Sequence, residues 1–206
     1  MRNILSCLLF FMFLATQAQT KMTDIEASNL KKQVKALAST TKTISSDFVQ
    51  YKHLDFLDNA IETSGKLAFK APNLVKWEYT KPFKYAVFFK NNMLYINDEG
   101  KKSNIDIGSS KMFSQLNTLI VSSINGDMFD ESKFKIHYFK TSKDRLVHFS
   151  PKDENFAKYI KTFHITFDEK GDVIEVKMIE PSDDYTRIVF NNKVLNQPID
   201  EAVFIN

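Results

Sequence analysis

Only one cysteine, Cys7, stands among the 206 residues, and it lies in a stretch that an exported chain loses. Arg2 precedes an apolar run from Ile4 to Leu14, and the small residues Thr16 and Ala18 follow it. A positive end, a short apolar run and a small-x-small site together read as a secretory signal peptide. The run is shorter than the roughly 20 residues a membrane-spanning helix needs. Cleavage is expected after Ala18, so residues 1–18 form the signal and residues 19–206 a single domain beginning at Gln19. Cys7 comes before most of the apolar run, whereas a lipid-bearing cysteine follows one. The exported chain of about 188 residues then has no cysteine, and a hydrophobic core rather than disulfides must hold it together.

An excess of one charge is also missing. Without Arg2 the chain carries 27 basic residues against 25 acidic ones, with its lysines scattered. That balance excludes the strongly basic face of a nucleic-acid binder. There is no Gly-x-Ser-x-Gly elbow and no phosphate-binding glycine loop. His53, His137, His148 and His164 lack zinc-ligand spacing and read as strand or surface histidines. Nothing marks His148 and Ser150 as parts of a catalytic triad. The acids of "DEKGD" sit between two strand patterns and read as a hairpin turn. No catalytic residue, metal or cofactor is expected.

What the chain does have is short strand-like segments, with no repeat or linker between them. Two stretches read as helix. In Thr23–Thr40, Ala27, Leu30, Val34 and Leu37 recur at helical spacing, with Thr23 or Asp24 as cap and Glu26 in the first turn. In the second, Met112, Phe113, Leu116, Leu119, Ile120 and Ile124 form a wide apolar face, capped by Ser109 or Ser110 and ended by Gly126. Strands are expected over Ser46–Lys52, Thr63–Lys70, Leu74–Tyr79, Lys84–Lys90, Met93–Asn97 and Lys102–Ile107. After the second helix they are expected over Phe134–Lys140, Arg145–Phe149, Tyr159–Phe167, Val173–Glu180, Tyr185–Asn191 and Ala202–Ile205. Val75, Trp77 and Tyr79 alternate with Lys76 and Glu78, whereas "YAVFF" and "MLYI" have no polar side. Up to twelve strands exceed the eight that side chains alone fill as a barrel. The pattern fits either a sheet curled around an apolar cavity or a two-sheet sandwich with a dry core.

Several segments resemble the periplasmic outer-membrane lipoprotein carrier family, LolA. "SDFVQ" is similar to the family's Phe-x-Gln strand. "GKLAFKAPNLVKWEYTKP" resembles its next motif at Gly65, Leu67, Phe69, Lys70, Pro72, Asn73, Leu74, Trp77 and Pro82. "NNMLYIND", the hairpin "FSPKDENFAKYIKTFHITFDEKGDVIEV" and a final strand "AVFIN" follow in family order. The resemblance implies a mainly β (α+β) fold, an incomplete antiparallel β-barrel whose helices form a lid over an apolar cavity. It implies a ligand site at Phe48, Leu67, Phe69, Val75, Trp77 and Tyr79 of the sheet and Met112, Phe113, Leu116, Leu119 and Ile120 of the lid. The family usually places a lid-tethering arginine before the first proline; Ala71 stands there, with Lys70 and Lys76 nearby and Arg187 as a possible substitute elsewhere in the sheet.

The function implied is that of a monomeric periplasmic carrier. It would bind the acyl chains of lipoproteins, receive them from an inner-membrane ABC lipoprotein-releasing complex and pass them to an outer-membrane acceptor. The alternatives are a lipid- or glycolipid-sensing domain, a carrier specialised for another lipid-like cargo and, last, a lipid hydrolase.

Overall fold

The computed structural model describes residues 19–90, 93–106 and 127–204. Strand β1 (Thr20–Lys21) leads into helix α1 (Asp24–Thr40). Then come β2 (Thr43–His53), β3 (Ile61–Lys70), β4 (Leu74–Lys81), β5 (Tyr85–Lys90), β6 (Met93–Asp98) and β7 (Lys101–Asp106). Strands β8 (Phe134–Lys140) and β9 (Arg145–Pro151) precede a single turn of helix, α2 (Glu154–Ala157). The chain continues through β10 (Thr162–Phe167), β11 (Val173–Ile179) and β12 (Tyr185–Leu195) to a 3-10 turn, Glu201–Phe204.

All twelve strands join one antiparallel sheet in the order β1-β8-β9-β10-β11-β12-β2-β3-β4-β5-β6-β7. Two meanders, β2–β7 and β8–β12, meet where β12 pairs with β2, from Tyr185 opposite His53 to Leu195 opposite Ile44. Among the described residues β1 and β7 remain as edges and the sheet is not closed into a barrel. This open antiparallel sheet is the architecture that the family resemblance implies, an incomplete barrel, and not the two-sheet sandwich that the pattern alone also allowed.

Helix α1 begins as its sequence dictates. Thr23 is the cap, its hydroxyl accepting from the Glu26 amide while the Glu26 carboxylate accepts from the Thr23 amide. An ion pair to Lys140, together with the Thr23 amide, holds the Glu26 carboxyl down at about 2. Ala27, Leu30 and Val34 are buried on one stripe; Leu37 is half-buried. Leu30 and Val34 join Met22, Met128, Val147, Phe149, Phe163, Ile165 and Phe167 in one core cluster, which closes the β8–β11 half of one sheet face. The "DEKGD" segment is the β10–β11 turn, in which Asp168 Oδ1 accepts from the amides of Lys170 and Asp172. Gly171 has φ +83° there, a conformation that favours glycine, and a Cβ would sit a tight 3.2–3.3 Å from the backbone of Val34 and Gln33.

Two expected strands are corrected. The run Tyr159–Phe167 becomes strand only at Thr162, because Asp153 caps α2 and the Phe156 carbonyl accepts from the amides of Tyr159 and Ile160. Tyr159 is left 56 % exposed and, like Lys161, does not share the strand face. Ala202–Phe204 is not a final strand but part of the 3-10 turn, which the Asp200 side chain and carbonyl start by accepting from Ala202 and Val203. The second expected helix, with its caps, lies outside the described residues.

Gly65 decides how tightly β3 and β4 pair. A Cβ there would lie 2.0 Å from the Glu78 carbonyl oxygen and 2.9 Å from the Phe48 ring, beside a register shift in the β3–β4 ladder. Gly65→Ala is expected to cost about 3 kcal/mol by forcing backbone apart. Urea unfolding checks this; a loss below about 1 kcal/mol shows that the ladder yields easily.

Candidate functional site

Strand alternation places one set of side chains on the face that α1 partly covers. From β12 the register carries Ile188 to Gln50, and Phe190 to Phe48 and then Gly65. Leu67 lies opposite Trp77, Phe69 opposite Val75, and Gly65 opposite Tyr79. Tyr85, Val87 and Phe89 continue the row on β5, and Ile96 and Leu94 on β6. These residues form the β12–β6 half of the face.

The six sheet residues expected at the site are brought together. Phe48, Leu67, Phe69 and Val75 are buried and form one cluster, on which Trp77, Tyr79, Phe89, Ile188 and Phe190 pack half-buried. The rings of Trp77 and Tyr79 meet Phe48 edge-on, at centroid distances of 4.9 and 5.2 Å. Phe69 and Val75 are thus floor, and Trp77 and Tyr79 are the less buried side chains above it. The lid residues Met112, Phe113, Leu116, Leu119 and Ile120 lie outside the described residues, and with them the lid side of the expected cavity. Among the described residues a cleft of about 320 Å³ opens instead on the opposite face, where Ile199 and Val203 stand over Ser45, Lys66, Ala68 and Lys76.

Sequence reading missed Ile188, Phe190, Tyr85, Val87, Phe89 and Ile96 as site residues. The alternation Thr186, Ile188, Phe190 against Arg187 and Val189 carried the signal for β12. In "YAVFF" no alternation was visible, because Phe88 on the other face is also buried, stacked on Tyr95 at 4.9 Å.

The site has little charge. The Tyr79 hydroxyl donates to Gln50 Oε1 at 3.0 Å. Burial, then the neighbouring Tyr85, pushes its pKa up, so it remains a donor. Ala71, where the family's arginine was expected, packs against the Phe48 cluster and donates its amide to the Lys42 carbonyl. Neither the two neighbouring lysines nor the more distant Arg187 replaces that arginine on this face. Lys70 pairs with Glu201, Lys76 with Glu78, and Arg187 Nη2 with Glu175 Oε2 at 2.7 Å, and the register places all three on the opposite face.

The model of the family described as "Outer membrane lipoprotein carrier protein LolA" matches residues 39–205. The chain belongs to the LolA family. An outer-membrane lipoprotein carrier protein of Chromobacterium violaceum is 26 % identical over 181 residues, 84 % of this chain and 80 % of that protein. The fold is similar to that of lipoprotein LppX of Mycobacterium tuberculosis, with a TM-score of 0.50, 8 % identity, and coverage of 86 % of this chain and 99 % of that one. It is similar also to the Pseudomonas aeruginosa MucA/MucB complex, with a TM-score of 0.50, 8 % identity and coverage of 88 % of this chain. The chain spans only 61 % of the matched chain in that complex.

The opposite face carries polar residues in equally regular register. His137, His148, His164, Lys177, Arg187 and Tyr51 lie side by side across β8, β9, β10, β11, β12 and β2. The rings of His148 and His164 stack at 3.6 Å, and the Lys177 ammonium lies over the Tyr185 ring. Among the described residues no histidine, cysteine or carboxylate trio is grouped to hold a metal ion. Burial, then His148 and Lys177, lowers the His164 pKa to about 4; burial, then His137, lowers that of His148. The unfolded chain therefore binds these protons more readily than the folded one. Their effect on stability is absent above about pH 6.5, and stability falls as pH drops from there towards 4. Urea unfolding at pH 7 and pH 5 is expected to show this loss, and His164→Thr to reduce it. An equal loss in the variant assigns the slope to other groups.

Proposed function

We propose that the β12–β6 half of the apolar face receives the acyl chains of lipoproteins, and that the protein carries them through the periplasm. The observation that supports this most is the continuity of that face: Trp77, Tyr79, Val87, Phe89, Ile96, Ile188 and Phe190 adjoin in register on a floor of Phe48, Leu67, Phe69 and Val75. Membership of the LolA family and the carrier named among its relatives point the same way.

The physical need is plain. Each methylene removed from water contributes about 0.8 kcal/mol, so a 16-carbon chain leaves water with a gain on the order of 12 kcal/mol. Such a chain does not cross an aqueous space unaided. A face of aromatic and branched side chains shields it without making a covalent bond, so binding and release suffice. In this reading residues 1–18 direct export and are removed, and the carrier is loaded by an inner-membrane ABC complex and unloaded at an outer-membrane acceptor. The lid residues Met112, Phe113, Leu116, Leu119 and Ile120 complete the site.

Trp77 is the one tryptophan, so its emission reports on the site directly. Titrating residues 19–206 with a synthetic triacylated lipopeptide is expected to shift the emission, and acceptor liposomes are expected to reverse the shift. Val87→Asp, on the apolar face, is expected to weaken binding about 100-fold, while Ala86→Asp, one residue away on the other face, leaves it intact. An unchanged Trp77 spectrum at saturating lipopeptide sinks the acyl-site reading. Binding without transfer favours a lipid-sensing domain instead.

A further inference from the structure

At one end of the apolar face stands a small polar corner. Gln50 on β2 and Thr63 on β3 are direct cross-strand partners. Gly65, two residues along β3, has no side chain, and across this gap the Tyr79 hydroxyl reaches from β4 to Gln50 Oε1. The Gln50 amide oxygen is occupied by that bond. Its NH2 group forms no hydrogen bond among the described residues. Thr63 is only 7 % exposed, and its Oγ1 is buried with no hydrogen-bond partner. A buried hydroxyl left unmatched is costly, and most such groups in folded proteins have a partner. Strand alternation puts Thr63 and Gln50 on the same face as Phe48, Trp77 and Phe190.

We infer that this corner is a polar subsite for the carbonyl oxygen at the head of an acyl chain, an ester, amide or acid carbonyl accepting from the Thr63 hydroxyl and the Gln50 amide. The inference rests on the acyl-site reading above and adds an orientation to it. The hydrocarbon lies over Phe48, Trp77 and Phe190, and the head of the lipid points to the end of the sheet that carries the β2–β3 and β4–β5 turns. Tyr79 acts as a positioning residue: its hydroxyl holds the Gln50 oxygen and thereby turns the NH2 group towards the ligand. An alkyl chain without a carbonyl leaves both donors unmatched, so the corner discriminates by chemistry and not by length. Sites built to meet a polar group reject analogues that lack it.

The test compares three probes on residues 19–206 by Trp77 emission: a diacylated lipopeptide whose two chains are ester-linked, its ether-linked analogue with no chain carbonyl, and palmitate. The wild-type protein is expected to bind the ester form about tenfold more tightly than the ether form. Thr63→Val and Gln50→Leu are each expected to weaken the ester form about five- to tenfold and leave the ether form unchanged. Thr63→Ser is expected to restore tight binding. Thr63→Val should leave the empty protein as stable or more so, because it removes an unmatched hydroxyl. A loss confined to palmitate assigns the corner to free fatty acids; a loss confined to the lipopeptide assigns it to acylated cargo. Equal binding of ester and ether forms in all variants overturns the subsite while leaving the acyl site standing. Failure of all three probes to bind overturns both. A large drop in the melting temperature of unliganded Thr63→Val makes the hydroxyl structural and overturns the subsite as well.

Discussion

A twelve-stranded sheet is far wider than any one helix, and this mismatch governs the molecule. At about 4.8 Å between strands the sheet is some 50 Å across, whereas a helix with its side chains is about 10–12 Å wide. Helix α1, with Met128 and Phe129, therefore buries only the β8–β11 half of the apolar face. The other half has to be curled over, covered by further chain or occupied by something apolar. The half-buried Trp77, Tyr79 and Phe190 follow from that arithmetic, not from any local peculiarity of their strands.

Much of this was legible in the sequence. The helical period and the capping box of α1 are written in Thr23, Glu26, Leu30 and Val34, and most strand bounds fall within a few residues of their hydrophobic runs. The failures have physical reasons. In Tyr159–Phe167 the alternation is real, but Asp153 caps a turn upstream that removes Tyr159 and Lys161 from the ladder. In Ala202–Phe204 an apolar triplet reads as strand, yet Asp200 offers local acceptors that bend it into a 3-10 turn.

The site was half legible for a related reason. Val75, Trp77 and Tyr79 show their face by alternating with Lys76 and Glu78. Val87 and Phe89 do not, because the opposite face of β5 is also apolar at Phe88. The polar corner was invisible, since Thr63 and Gln50 lie in separate strands and only pairing brings them together. Likewise nothing in the spacing of His137, His148 and His164 suggests that three successive hairpin strands align them in one row.

The seam between β12 and β2 has a consequence for how the molecule forms. Each meander is made of hairpins between neighbours in sequence, and such contacts close quickly. The seam joins Asp47 to Asn191, near opposite ends of the chain, and it lies in the middle of the sheet, not at its margin. The slow step expected of such a topology is the joining of the two ribbons at this seam together with the docking of α1 on β8–β11, the contacts that span the most sequence. Until the last strand has been made and has found β2, each ribbon presents a bare edge to its surroundings. The interval during which this chain is most exposed to mispairing is thus set by the arrival of its C-terminal strand.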